Sequence, residues 1–220
     1  MTFSILAQDL SSGAFGGAAA TGALCVGGWV LRGDSRAGLS ASQGAAPSTM
    51  WGEDALEMMR CGSSAQETLD GLVGADRGQA WRQLALLDKT GMTACHTGIR
   101  NTDWKGALTQ GGLVVSGNML TGPDVLTALR DEFHAAKGAL ADRLLAALRA
   151  AEAAGGDTRG LQSAALLVVA DDAPPLSLRV DWSEHPIAAL SELYRRSQSG
   201  DYSAWLPTVP TRADPERGHD

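Results

Sequence analysis

The 220-residue sequence is poor in aromatic residues (5%), has three cysteines, and carries no long run of like charge. Cys25, Cys61 and Cys95 are odd in number, widely spaced and without a C-x-x-C pair, so they read as reduced core thiols of a cytoplasmic protein, not as a disulfide framework. His96, His134, His185 and His219 lack metal-ligand spacing, and no metal is expected. G-x-S-x-G is absent. Residues 155–160, Gly-Gly-Asp-Thr-Arg-Gly, lack the Gly-Lys-Ser/Thr ending of a phosphate loop and follow a helical pattern instead of preceding one, so no nucleotide or other cofactor is expected. The formal charge is -7 and the pI is near 5.0. Such a surface repels phosphates, which argues against nucleic acid and anionic membranes as partners. Residues 10–31 are uncharged but hold six glycines and few large aliphatics, which fits two glycine-rich buried strands better than a membrane span. The opening residues have no basic n-region, so no signal peptide is expected and the expected location is the cytoplasm.

Apolar residues make up 44% of the chain and charged residues 20%, ordinary for a globular protein whose length can bury a full core. Residues 2–8, 14–20, 24–31 and 37–43 read as strands, the second made almost wholly of small side chains that let something pack close to its backbone. Helices are predicted over 53–61 and 64–73, the latter opened by a Ser64/Glu67 capping box. Residues 82–87 and 92–97 flank Asp88-Lys89-Thr90-Gly91 and predict a hairpin, followed by a short strand over 113–116. Helices follow over 123–136 and 140–154, then strands over 163–170 and 176–182 and a helix over 186–197. Clustered strands alternating with clustered helices argue for an α+β fold of antiparallel sheets with helices layered on them. No internal boundary or repeat is visible. Residues 1–200 read as one domain, and 201–220 as an irregular, Pro-containing tail.

Thr2 is the position with most chemical potential. Aminopeptidases remove Met1 when a small residue follows, which would leave a hydroxyl and an α-amine on one residue. An α-amine has a pKa of about 8, so near neutral pH it can take the hydroxyl proton and serve as base to its own nucleophile. The plain alternative is that Thr2 simply begins an edge strand. Cys95 and His96 are neighbours on one predicted strand, face opposite ways, and form no dyad.

Several stretches carry a resemblance in a fixed order over residues 2–170: Thr2-Phe3-Ser4-Ile5-Leu6-Ala7-Gln8-Asp9, Arg82-Gln83, His96-Thr97-Gly98, Gly117-Asn118-Met119-Leu120, residues 146–148 leading to Gly155-Gly156-Asp157, then Arg159-Gly160 with Gln162-Ser163-Ala164-Ala165. Together these resemble the domain-of-unknown-function 1028 family, itself similar to the N-terminal-nucleophile (Ntn) hydrolases. The resemblance implies a four-layer αββα sandwich, two antiparallel sheets between helix layers. A fainter likeness to proteasome β-subunits implies that Asp157 and Ser163 orient the amine of Thr2, with backbone amides near Gly117 or Gln43 stabilising an oxyanion. Where relatives carry Lys or His, this chain reads Thr21-Gly22, and no lysine precedes Lys89.

The other candidates have two readings each. Arg159 and Arg82 bind a substrate carboxylate or form structural salt bridges. Asn118 contacts substrate or shapes a turn, Gln43 contacts substrate or bonds a strand edge, and Asp157 acts chemically or shapes the turn after Gly155-Gly156. Two functions therefore stand side by side: an amide hydrolase of a small polar metabolite with Thr2 as nucleophile, or a non-catalytic binding or assembly protein on the same fold. In either case the expected partners are a small molecule and, because flat helical layers stack, further copies of the chain.

Overall fold

The computed structural model describes residues 2–218. Met1, on whose removal the nucleophile reading depends, and His219 and Asp220 at the end of the predicted tail lie outside the described residues. The fold is α+β, with two antiparallel sheets and seven helices among the described residues.

The larger sheet has six strands, in the order β10 (Leu176–Val180), β9 (Ser163–Val169), β2 (Phe15–Thr21), β1 (Thr2–Gln8), β8 (Leu113–Asn118) and β7 (Gly106–Gln110). The smaller has four: β3 (Leu31–Asp34), β4 (Gly38–Gly44), β5 (Arg82–Asp88) and β6 (Thr93–Thr97). Strand β1 is central and buried on both faces. Phe3, Ile5 and Ala7 point to one side, where they pack with Val125, Leu129 and Phe133 of α4 (Asp124–Ala135) and Leu144 and Leu148 of α5 (Leu140–Ala153). Leu6 points to the other, where it joins Leu39, Ala41, Ala85 and Leu87 of the smaller sheet. The far face of that sheet, Leu84, Leu86 and Ala94, packs on Trp51, Ala55 and Met59 of α2 (Thr49–Arg60) and Leu69 of α3 (Ala65–Ala75). The period-two alternation in β1 and β5 thus divides three apolar clusters between two sheets. The all-small strand β2 has the close neighbour its composition predicts: a Cβ at Gly16 would lie 2.7 Å from Leu144 of α5.

Several details depart from the expectations. Residues 24–31 are not a strand; they form the short helix α1 (Val26–Trp29) before β3 begins. A side chain at Gly27 would meet the Arg179 stem at 2.6 Å, Cys25 adopts a left-handed φ of 61°, and Cys25 N–H donates to the Asp181 carbonyl at 3.0 Å. These tertiary contacts from β9 and β10 override a strand-like pattern. Strand β7 was not visible because it is a half-exposed edge with weak alternation. The segment read as an irregular tail opens with α7 (Gly200–Trp205), after α6 (Pro186–Ser197), and is then tied back by Ala213 N–H to the Asp171 carbonyl at 2.8 Å. The cysteines are free, but only Cys95 packs, half-buried, against the core between the sheets; Cys25 is half-buried outside it and Cys61 is exposed.

Asp88 joins the β5–β6 hairpin to α3. Its carboxylate accepts the Thr90 hydroxyl and the Thr90, Met92 and Ala65 amides at 2.6–3.1 Å. Burial pushes this carboxyl up, but the Thr90 hydroxyl and the amides of Ala65, Thr90 and Met92 outweigh it and hold it below the usual carboxylate value. A depressed folded pKa stabilises fully above the unfolded value, about 3.9, and is lost as pH falls through the folded value. Asp88→Asn is therefore expected to lower the urea-unfolding free energy by about 1–2 kcal/mol at neutral pH, with the gap to wild type closing below about pH 4.

Candidate functional site

Strand ends of both sheets converge on one cavity of about 550 Å³. Thr2 opens β1; its register partners are Thr21, at the end of β2, and Asn118, at the end of β8. Gln43, next to the end of β4, reaches the same cavity from the smaller sheet. Thr2 is 9% exposed and its hydroxyl donates to Thr21 Oγ1 at 3.1 Å. The position opposite the candidate nucleophile thus holds a neutral hydroxyl. At Gly22, a Cβ would lie 2.5 Å from Asp157 Oδ2 and from the Gly160 carbonyl, so no cationic side chain fits there.

Behind Thr2 a buried polar network crosses between the sheets. Gln83 is its centre: the two N–H bonds of Nε2 are shared among three acceptors, the Gly117 carbonyl at 2.8 Å, Thr97 Oγ1 at 2.9 Å and the Gly106 carbonyl at 3.1 Å. Its Oε1 accepts Gln43 Nε2 at 2.7 Å and Asn118 Nδ2 at 3.1 Å. Gln43 Nε2 also lies 3.3 Å from Ser116 Oγ, which pairs with Ser4 Oγ at 3.1 Å. The carbonyls of Gly106 and Gly117 fix which end of Gln83 is the donor, and that in turn makes Gln43 Nε2 a donor. Gln43 Oε1 is left buried with no hydrogen-bond partner among the described residues. Gln83 was named only within the Arg82-Gln83 stretch of the resemblance and given no site role, although a glutamine at the head of the apolar run Leu84-Ala85-Leu86-Leu87 was a visible anomaly.

Residues 22–30 form one wall. Asp157, with a side chain 0% exposed, accepts the Gly22 amide, the Arg159 amide at 2.7 Å and the Arg159 guanidinium at 3.2 Å. Ser163 Oγ accepts Val26 N–H at 3.0 Å and donates to the Ala23 carbonyl at 2.8 Å. The side-chain bonds of Asp157 and Ser163 among the described residues run to this wall and to Arg159, and none of them reaches Thr2. Ser163→Ala is expected to cost about 1–2 kcal/mol in urea denaturation and to speed hydrogen exchange at the Val26 amide.

Residues 44–47 form the facing wall, held by Asn101 Oδ1, which accepts the Ala45 amide at 2.7 Å, and by the Arg82 guanidinium, which donates to the Ala46 carbonyl. Arg82 also pairs with Asp76 at 3.0 Å and lies outside the cavity lining, whereas Arg159 is part of it. Met119, which lines the cavity beside Asn118, has a φ of 60°, held by its amide bond to the Thr102 carbonyl at 2.9 Å. Cys25 and Met119 are the non-glycine residues with positive φ among those described, and both flank this cavity; such strain gathers where a site is held in a set shape. His96 and Cys95 take no part. His96 Nε2 lies 3.0 Å from the Gln79 carbonyl, and burial pushes the Cys95 thiol up, away from the thiolate. Among the described residues no group of three or more His, Cys, Asp or Glu is arranged to hold a metal, and no helix is long and apolar enough to cross a membrane.

Two antiparallel sheets, their helices, and a pocket at the strand ends with Thr2 in its lining define the class of protein. The chain belongs to the family described as "Family of unknown function (DUF1028)", which matches residues 2–190. It is similar to protein SPO2555 from Silicibacter pomeroyi, a crystal structure carrying the same family label, at 51% identity and a TM-score of 0.95 over 100% of this chain and 99% of that one. No curated protein matches.

Proposed function

We propose that the chain is an amide hydrolase of a small metabolite, built as a four-layer αββα sandwich of the Ntn type, with Thr2 as nucleophile once Met1 is removed. The observation that carries the reading is the placement of Thr2: first residue of the central strand, in the lining of the cavity, its hydroxyl bonded to Thr21 and its backbone flanked by Asn118. Thr2 Oγ attacks the amide carbonyl carbon and its proton passes to the α-amine. The C–N bond then breaks, the leaving amine takes that proton, and an ester remains on Thr2. Water attacks the ester, releasing the acid and restoring the hydroxyl. Asn118 Nδ2, beside Thr2 in register, is the side-chain donor we assign to the oxyanion through its second N–H, the first being given to Gln83 Oε1; the Ala45 and Met119 amides, with one N–H each, are already bonded to Asn101 and Thr102. Gln43 Oε1 is assigned to a donor that arrives with the substrate. Asp157 and Ser163 act as positioning residues through the wall over 22–30.

A second reading, a non-catalytic binder, is favoured by the neutral Thr21 hydroxyl where a cation would promote the nucleophile. Intact mass from the native host separates the two. A chain lacking one methionine supports the hydrolase, and a chain that retains it supports the binder.

A further inference from the structure

The cavity has two chemically distinct ends. Thr2, Thr21, Gln43 and Asn118 make one end polar, whereas the walls are apolar, with Leu24, Val26, Trp29, Val30, Pro47 and Met119. Leu24 and Trp29 are 53% and 51% exposed, large side chains left open at the rim. Among the described lining residues, Arg159 carries the one ionised side chain. Its partner Asp157 is 0% exposed while Arg159 is 43% exposed, so the pair turns its positive member outward and its negative member into the protein. A neutral polar metabolite would leave the apolar walls unmatched, and a cation would meet Arg159.

We propose that the pocket takes a small carboxylate with an apolar body: the carboxylate against Arg159 and the aliphatic or aromatic part against Leu24, Trp29 and Met119. This narrows the substrate of the proposed hydrolase to an amide bearing one acid group and one apolar group, and it rests on that reading for which end reacts. Binding, however, needs no turnover. Apolar contact with the walls supplies affinity, and the charge-assisted pair supplies the choice of anion over cation.

The test uses hexanoate, hexylamine and acetate as probes of the Thr2→Ala protein, followed by calorimetry and by amide chemical shifts. Hexanoate is expected to bind about tenfold or more tightly than acetate or hexylamine, with shifts at residues 23–30 and 119. Arg159→Leu and Leu24→Asp are each expected to weaken hexanoate about tenfold. Because Arg159 also supports Asp157, Arg159→Lys is the control, and it should recover part of the binding. No hexanoate binding at millimolar concentration, equal binding of hexylamine, or indifference to Leu24→Asp would each overturn the assignment. Hexanoate binding without amide hydrolysis by the processed wild type would sink the hydrolase and leave the pocket assignment standing. Hydrolysis of amides with no preference for an acid group would do the reverse.

Discussion

Thr2→Ala is expected to abolish the proposed amide hydrolysis, lowering kcat by a factor on the order of 10⁴ or more, while the protein still folds. The two effects separate because they have different sources. Among the described residues the Thr2 hydroxyl makes one side-chain bond, to Thr21 Oγ1 at 3.1 Å, whose loss is worth about 1 kcal/mol and a few degrees of melting temperature. In the proposed catalysis the same oxygen forms the ester, and no neighbouring group among the described residues is placed to substitute for it. Thr21 is a hydroxyl without an α-amine of its own, and the described atoms of Asp157 and Ser163 bond elsewhere. Thr2→Ser keeps hydroxyl and amine and is expected to retain measurable turnover. Kinetics on the three proteins, each with Met1 removed, read this directly.

Gln83→Leu has the largest expected effect on stability, a loss of about 3–4 kcal/mol and roughly 10 °C in melting temperature. The volume change is small, so no large cavity opens. The cost comes from what Gln83 leaves behind: the Gly106 and Gly117 carbonyls and the Asn118 amide across the sheet interface, and Thr97 Oγ1 and the Gln43 amide on its own sheet. Buried groups without partners carry their full desolvation penalty. Because Asn118 and Gln43 lose their orienting acceptor, any residual folded protein is also expected to lose kcat, although Gln83 does not line the cavity. Thermal denaturation and single-turnover kinetics check the two halves.

How much of this was legible in the sequence depended on how local the cause was. Strand β1 and the α3 capping box are written in consecutive residues, and the structure has both as read: Thr2–Gln8, and Ser64 with Glu67. The hairpin at Asp88 was legible from its turn residues, but its tie to the Ala65 amide, 23 positions away, was not. The 24–31 segment was misread because its shape is imposed by Ser163 and Asp181, both more than a hundred positions further along. Of the candidate site, Thr2, Gln43, Asn118 and Arg159 do line one cavity. Arg82 instead braces the Ala46 carbonyl, and Asp157 and Ser163 shape the wall over 22–30. Polarity and order could nominate these residues. Which of them face the cavity follows from register between strands far apart in the chain, which no local pattern encodes.

The most direct measurement is covalent trapping. The protein with Met1 removed is treated with a β-lactone, an electrophile that acylates active hydroxyls, and the adduct is located by peptide mapping. The expected result is one acyl group on Thr2, absent from Thr2→Ala and blocked by substrate. Label on another residue, or none while amide hydrolysis continues, would contradict Thr2 as the nucleophile.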